Sequence, residues 1–294
     1  MPETGGTRTA AGGPGEPYIE EAVREATEAL AGSSATPRLD ARLLLADLLG
    51  VPCSHLFAYP ERRLAPGQAT ALRERIARRA AGEPAAYILG YSGFRGLNLT
   101  VTPAVLVPRP ETEHVVEQAT AYLPHGGRLL DPGTGCGAIA LAVAAERPDA
   151  RVTATERCPE ATAVAAENRD RLGLAERVAL LAGDWADGLP EGPYDVIAGN
   201  PPYVEAGAPE WADATLAHEP EAALAAGADG LAAIRSLLPP AVAALAPGSG
   251  VLILEHGAAQ GLAVRRLFEA SGLTEVATVR DLSGKERVTH GRRP

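Results

Sequence analysis

Apolar residues recur at helical spacing in Tyr18–Ala31, Pro37–Leu49 and Pro66–Ala81, three segments separated by Gly, Ser and Pro breakers. The pattern predicts a small helical domain over residues 18–82, with Leu39, Leu43, Leu44 and Leu48 as a core stripe of the second helix. From His125 onward the rhythm changes. Short strand-like runs at Arg128–Asp131, Arg151–Glu156, Val178–Ala182 and Tyr194–Gly199 alternate with helical stretches. Such alternation predicts an α/β domain over residues 108–294, built on a doubly wound, mostly parallel sheet. Residues 83–107 read as a linker and β-hairpin, and Glu275–Arg280 with Arg287–Arg292 read as a hairpin closing the sheet. Residues 1–17, rich in Gly, Thr and Pro, read as a disordered tail.

The most informative local chemistry follows the strand Tyr194–Gly199, where the chain continues Asn200-Pro201-Pro202-Tyr203. Two consecutive prolines cannot donate to a β-ladder, so the strand must stop and the loop must be stiff. Stiff loops at the carboxyl ends of parallel strands are where open α/β sheets bind ligands. Pro201 and Pro202 offer carbonyls without N–H groups, and Asn200 adds a side-chain carbonyl. The result is an acceptor-rich surface suited to a planar NH2 group, with Tyr203 as a flat face beside it. Holding both hydrogens of a carboxamide or aromatic amine would turn its weakly nucleophilic lone pair toward an electrophile, so catalysis would be mainly orientation. The bland alternative is a rigid Pro-Pro turn.

A second segment, Arg128 to Leu141, reads as strand, glycine loop and helix, with Asp131-Pro132-Gly133-Thr134-Gly135-Cys136-Gly137 at the turn. Its glycines allow close backbone approach, and the helix start offers free N–H groups. Gly133-x-Gly135-x-x-Ala138 also fits a dinucleotide fingerprint, so this loop alone does not separate a nicotinamide cofactor from S-adenosylmethionine. Glu156 ends the next strand about 20 residues beyond the loop, a spacing that suits a carboxylate accepting ribose hydroxyls. An exposed strand-end charge would look the same. Asp184 and Trp185 follow a third strand and offer an acid and an aromatic face to an adenine, although a Trp at a strand end is more often core. Glu111 and Glu113 suit a helix start, and Arg109 with Glu111 a site mouth.

Composition narrows the classes. The chain has 294 residues, 46% hydrophobic and 22% charged, an ordinary globular balance with room for one large core and a small extra domain. No apolar run approaches the ~20 residues of a membrane span, and the polar start lacks the pattern of a signal peptide, which predicts a cytoplasmic protein. Cys53, Cys136 and Cys158 form no C-x-x-C pair, so neither a disulfide framework nor a metal site is expected. A net charge of −10 speaks against DNA as a partner. Arg73, Arg75, Arg78 and Arg79 could still form a local basic face for a protein or RNA, against the default of a solvated helix surface.

The ordered set Asp131-Pro-Gly-Thr-Gly-Cys-Gly137, Glu156, Asp184-Trp185 and Asn200-Pro-Pro-Tyr203 resembles the class I S-adenosylmethionine-dependent methyltransferases that methylate amino groups. Phe94–Leu97, Val107–Glu113, His218–Pro220, Gly227–Leu231, Leu254-Glu-His-Gly257 with Gln260, and Asp281–Val288 are similar to motifs of the HemK family, the protein-(glutamine-N5) methyltransferases. These modify the glutamine of the Gly-Gly-Gln motif in peptide chain release factors. The resemblance, from about residue 18 to the C-terminus, implies a class I methyltransferase-type sheet and S-adenosylmethionine as cofactor. It also implies a release factor as protein substrate; a monomer is expected. Gly133, Thr134, Gly135, Cys136 and Gly137 would face the cofactor's methionine moiety, Glu156 its ribose, and Asp184 with Trp185 the adenine side. Asn200, Pro201, Pro202 and Tyr203 would hold the glutamine amide, with Asn200 also close to the cofactor. Pro132 and Glu156 depart from the commoner aliphatic residue and Asp. The insertion Val204–Asp229 after the substrate loop is expected to be a lid that orders on substrate entry. The rivals are a ribosomal-protein glutamine methyltransferase, a nucleic-acid amino methyltransferase, an NAD-dependent oxidoreductase that gives Asn-Pro-Pro-Tyr no task, and a non-enzymatic binding module.

Overall fold

Apolar segments with the two periodicities fold as two compact units, divided between Leu89 and Gly90, in a computed structural model that describes residues 15–294. The expected tail lies outside the described residues up to residue 14. Its last two residues are held: the Glu16 and Pro17 carbonyls accept from Arg63 Nη1 and Leu64 N.

The first unit contains α1 (Ile19–Leu30), α2 (Pro37–Leu49), α3 (Cys53–Ala58), α4 (Gln68–Ala80) and α5 (Ala85–Leu89). Helix α2 starts with Pro37 in its first turn and stops at Gly50, whose φ of 64° a side chain would strain. Its buried face differs from the predicted stripe. Leu44 is buried, but Leu43 and Leu48 are only partly covered and Leu39 is 53% exposed. Asp40, Ala41 and Leu45 take the inward places instead. The reason is an ion pair that no local pattern reveals: Asp40 Oδ2 accepts from Arg79 Nε of α4 at 2.7 Å and from the Ser34 hydroxyl at 2.8 Å. The proposed basic face dissolves with it. Arg75 pairs with Asp47 at 2.7 Å and Arg78 with Glu83 at 2.6 Å, so three of the four arginines are neutralised within the unit. Residues 83–89, read as linker, also belong here, because α5 buries Ile88 in the helical core.

The second unit opens with the hairpin β1 (Tyr91–Phe94) and β2 (Leu97–Thr100), turned by Arg95 and Gly96, both at positive φ. After α6 (Glu113–Tyr122), strands and helices alternate: β3 (Arg128–Pro132), α7 (Ala138–Glu146), β4 (Arg151–Glu156), α8 (Pro159–Arg171), β5 (Val178–Ala182), β6 (Val196–Gly199), α9 (Ala232–Ala244), β7 (Val251–Glu255) and α10 (Gly261–Ala270). The hairpin β8 (Thr274–Arg280) and β9 (Glu286–Arg292) ends the chain. The seven-stranded sheet runs β5-β4-β3-β6-β7-β9-β8, parallel through β7 and antiparallel at β9 and β8, as the alternation predicts. Every residue of β6 and β7 is buried, as strands covered on both faces require.

This order fixes where a ligand can bind. From β3 the chain winds outward to β4 and β5, then returns to place β6 on the other side of β3. The crevice at such a reversal lies outside the carboxyl ends of the two strands. The glycine loop follows β3 and the Asn-Pro-Pro-Tyr loop follows β6, so the topology sets them side by side. Asn168, on α8 and fully buried, ties the hairpin to this region by exchanging hydrogen bonds with both backbone groups of Thr100 and donating to the Cys136 carbonyl at 3.0 Å.

Candidate active site

At the reversal lies a cavity of about 510 Å³. Its wall includes Gly133, Thr134, Gly135 and Cys136 from the first loop, Glu156 from β4, Asp184 and Trp185 beyond β5, and Asn200 and Pro202 from the second loop. Nine of the twelve residues read as a site thus surround one space. Gly137 starts α7 beneath the loop, while Pro201 and Tyr203 stand behind the wall.

The glycine loop is held by its neighbour strand. Gly133 N and Thr134 N both donate to the Thr155 carbonyl at 2.8 and 2.9 Å, and Gly135 N donates to Glu156 Oε2 at 3.0 Å. Glu156 Oε1 accepts from Arg157 N and Cys158 N, which fixes the carboxylate at the cavity edge. Gly133, Gly135 and Gly137 all have positive φ, and a Cβ on Gly133 would come within 2.7 Å of Trp185 Cζ3. That approach is possible only for glycine. The Trp185 indole N–H donates to Ser236 Oγ of α9 at 2.9 Å, so its ring is oriented from both sides. Asp184 Oδ1 accepts from Ala186 N, and Oδ2 from Arg157 Nη1 at 3.2 Å.

Asp131 is buried below the loop. Its Oδ2 accepts from the Thr134 hydroxyl at 2.6 Å and Ala140 N at 3.1 Å, whereas Oδ1 has no partner. Burial pushes its carboxyl up to about 7. An unpaired acceptor in a low-dielectric wall attracts a cationic group.

The second loop is held differently, by side chains. Asn200 Nδ2 donates to Thr112 Oγ1 at 3.2 Å, and Asn200 Oδ1 is buried without a partner. Tyr203, expected as a flat face beside a substrate amide, does not line the cavity, and its hydroxyl donates to Glu255 Oε1 at 3.1 Å. Burial beside this carboxyl pushes the phenol pKa far up. Glu255 itself is fully buried at the end of β7, and burial raises its carboxyl to about 7 against the hydrogen bond of Tyr203. Gln260 Nε2 donates to the Tyr203 carbonyl at 3.0 Å and the Gly230 carbonyl at 3.2 Å, pinning the loop's exit.

The insertion after Tyr203 is folded in three short 3-10 turns, Pro209–Ala212, Leu216–His218 and Glu221–Ala223, with a bridge between Val204 and Ala225. Buried Glu219 accepts from Arg109 Nη2 at 2.5 Å and Val107 N at 3.1 Å, so Arg109 fastens this segment at the cavity rim. Glu111 faces Arg287 at 3.6 Å. Thr112, Glu255 and Ser236 carry parts of the site that local sequence reading assigned no task. Thr112 and Glu255 did stand inside quoted motifs, and that was their only signal.

Known proteins resemble this chain over most of its length. Residues 21–90 match the family model described as PrmC N-terminal domain, and residues 112–229 match the Methyltransferase small domain. The release factor glutamine methyltransferase of Salmonella typhimurium is 43% identical over 276 residues, covering 94% of this chain and 97% of that one. The chain belongs to the release factor glutamine methyltransferase family. A further member, from Pseudomonas aeruginosa, is 47% identical over 260 residues, 88% of this chain and 93% of that one. Among solved structures, a methyltransferase from Pyrococcus furiosus aligns at a TM-score of 0.50 with 24% identity, over 68% of this chain and 90% of that one, a likeness of fold. Among the described residues no helix is long and apolar enough to cross a membrane.

Proposed function

We propose that this enzyme transfers a methyl group from S-adenosylmethionine to the side-chain amide nitrogen of the glutamine in the Gly-Gly-Gln motif of peptide chain release factors, acting as a cytoplasmic monomer. The observation that carries the reading is Asn200 Oδ1, a buried acceptor with no partner on the wall of the cavity that also holds the glycine loop. Buried polar atoms are almost always satisfied, so an orphan on a residue that lines a cavity supports a ligand contact.

The residues present fit the cofactor. The cavity volume lies within the range of small-molecule sites. Gly133 to Gly137 would receive the methionine moiety against backbone that no side chain obstructs. The free Asp131 Oδ1 suits an ammonium group, whose charge would also favour the ionised carboxyl. Glu156, already oriented by three backbone N–H groups, keeps lone pairs for ribose hydroxyls, and Trp185 offers its face to adenine. When bound, the cofactor supplies an electrophilic methyl on a sulfonium.

The chain's own contribution is orientation. Asn200 Oδ1 takes an amide hydrogen, which turns the nitrogen lone pair into the cavity. Pro201 and Pro202 keep that acceptor rigid. The nitrogen becomes acidic only after alkylation, so no dedicated base is needed at the start. Tyr203 serves as an anchor of the loop rather than as a wall of the site. The net charge of −10 favours a protein over a nucleic acid as substrate.

The test is incubation with S-adenosylmethionine and a release factor from the same organism, followed by peptide mass spectrometry. A methyl on the Gly-Gly-Gln glutamine, absent with Asn200→Ala, supports the reading. An unmodified release factor under conditions where a ribosomal protein gains a methyl would overturn the substrate.

A further inference from the structure

One side-chain amide joins the two ends of the insertion that follows the Asn-Pro-Pro-Tyr loop. Gln260 caps the start of α10, and its backbone is set by the turn after β7. Its N–H donates to the Gly257 carbonyl at 2.9 Å, and its carbonyl accepts from Val264 N at 2.9 Å. From that base Oε1 accepts from Gly257 N at 2.8 Å. Nε2 donates to the Tyr203 carbonyl at 3.0 Å and the Gly230 carbonyl at 3.2 Å, with the Asp229 carbonyl at 3.5 Å. Tyr203 stands just before the insertion, and Asp229 and Gly230 stand where it ends. The fit is close. A Cβ on Gly230, whose φ is 69°, would lie 2.4 Å from Gln260 Nε2 and 2.5 Å from the Tyr203 carbonyl oxygen.

Beyond this clasp the two legs of the insertion pair with each other. Val204 N donates to the Leu224 carbonyl at 2.9 Å, Ala226 N to the Val204 carbonyl at 2.9 Å, and Ala206 N to the Gly227 carbonyl at 2.8 Å. Both sides of the clasp lead to the cavity, Asn200 and Pro202 on one and Ala225, Ala226 and Gly227 on the other, whereas Gln260 itself does not line it.

We propose that Gln260 is a positioning residue of the methyl transfer: its amide holds the exit of the substrate loop and the end of the insertion in one register, which fixes Asn200 against the substrate amide. An amide nitrogen carries two hydrogens, and the two nearer carbonyls take them, while the amide oxygen meets an N–H group. A reversed amide would set its oxygen against those carbonyl oxygens, so the neighbours fix its orientation. Only two prolines separate Tyr203 from Asn200, and their φ angles are locked. A displacement of the Tyr203 carbonyl is therefore carried to Asn200 rather than absorbed between them. Misplacement of a reacting group by about 1 Å costs about 10²-fold in rate.

The inference rests on Asn200 Oδ1 being the acceptor for the substrate amide, and the experiment separates the two. Single-turnover methylation of a release factor, at saturating cofactor and substrate, is measured from pH 5.5 to 8.5 for wild type, Asn200→Ala, Gln260→Met and Gln260→Glu. Cofactor affinity and melting temperature are measured alongside. Phe268→Leu, in the buried core face of α10, serves as a control for lost stability alone. Gln260→Met keeps the length without the hydrogen bonds and is expected to lose about 10²-fold in rate, with cofactor affinity within about threefold. Gln260→Glu keeps the acceptor for Gly257 N but, when ionised, has no hydrogen for Tyr203 and Gly230; protonation returns one. Its rate relative to wild type should therefore rise at least about fivefold from pH 8.5 to 5.5, because the facing carbonyls favour the protonated form. Phe268→Leu should melt at a lower temperature with a rate within about threefold of wild type. If Gln260→Glu does not fold, Gln260→Met and the control decide alone.

A Gln260→Met enzyme with the wild-type rate, a Gln260→Glu ratio unchanged by pH, or an equal loss of rate in Phe268→Leu would overturn the proposal. So would a loss that appears as weaker cofactor binding. Asn200→Ala at full rate would overturn the reading beneath it, whereas an inactive Asn200→Ala beside an active Gln260→Met removes only the clasp.

Discussion

Two loops leave adjacent central strands at the same edge of the sheet and are built from opposite chemistry. The glycine loop after β3 is rich in N–H groups, and neighbouring backbone fixes it: the Thr155 carbonyl receives two of its donors and Glu156 a third. The Asn-Pro-Pro-Tyr loop after β6 is rich in acceptors, its prolines donate nothing, and distant side chains at 112, 255 and 260 fix it. One loop offers room for close approach; the other offers direction. The difference teaches that binding and orientation in this site are separable, so damage to each loop should show in a different measurement.

The largest effect is expected from Asn200→Ala, which deletes the acceptor proposed to hold the substrate amide. Turnover should fall about 10²–10³-fold, comparable to loss of one fixed hydrogen-bonding group in other active sites, with cofactor affinity changed less than about tenfold. Isothermal titration against single-turnover rates separates the two. Equal losses in both would break the division between the loops.

Next comes a stability effect confined to the second loop. The carboxyl of Glu255 moves from an ordinary value of 4.5 up to about 7 in the folded chain. The folded state therefore holds its proton more tightly than the unfolded state does. The contribution to stability is fully present below pH 4.5 and is lost as pH rises through 7, by at most about 3 kcal/mol. Glu255→Gln should therefore raise the melting temperature at pH 8 and leave it nearly unchanged at pH 4.5. An identical shift at both values would show that Glu255 is not strained by burial.

Gly133→Ala probes the first loop. It forces a side chain to adopt φ of 74° and sets its Cβ 2.7 Å from the Trp185 ring, at a cost of about 1–3 kcal/mol. Cofactor affinity should fall about tenfold or more, while the rate with saturating cofactor stays within about threefold of wild type. The smallest effect belongs to Trp185→Phe, which keeps an aromatic face but removes the hydrogen bond to Ser236. Affinity should drop by a factor of about three to ten, corresponding to about 1 kcal/mol.

Both loops were legible in the sequence because Gly and Pro act locally. Consecutive prolines end a central strand wherever they occur, and Asn200-Pro201-Pro202 ends β6 as expected. Glycines at a strand-to-helix turn likewise announce positive φ, which Gly133, Gly135 and Gly137 adopt. What was not legible depends on partners far along the chain. The tie from Asn200 to Thr112 spans 88 residues and that from Tyr203 to Glu255 spans 52, so nothing near the loop predicts what holds it or that the Tyr203 hydroxyl is taken by Glu255. The same holds for α2, where leucine spacing suggested Leu39 as core, but the pairing of Asp40 with Arg79, 39 positions on, turned a charged residue inward. Helix α9 runs through Pro239 and Pro240, although proline removes an intrahelical hydrogen bond.

The most direct test of the division of labour is a paired measurement on Asn200→Ala: cofactor affinity by calorimetry and the single-turnover rate of release-factor methylation at saturating cofactor. The account predicts nearly intact affinity and a rate lower by about 10²–10³. A variant that binds the cofactor poorly but methylates at the wild-type rate once saturated would contradict it.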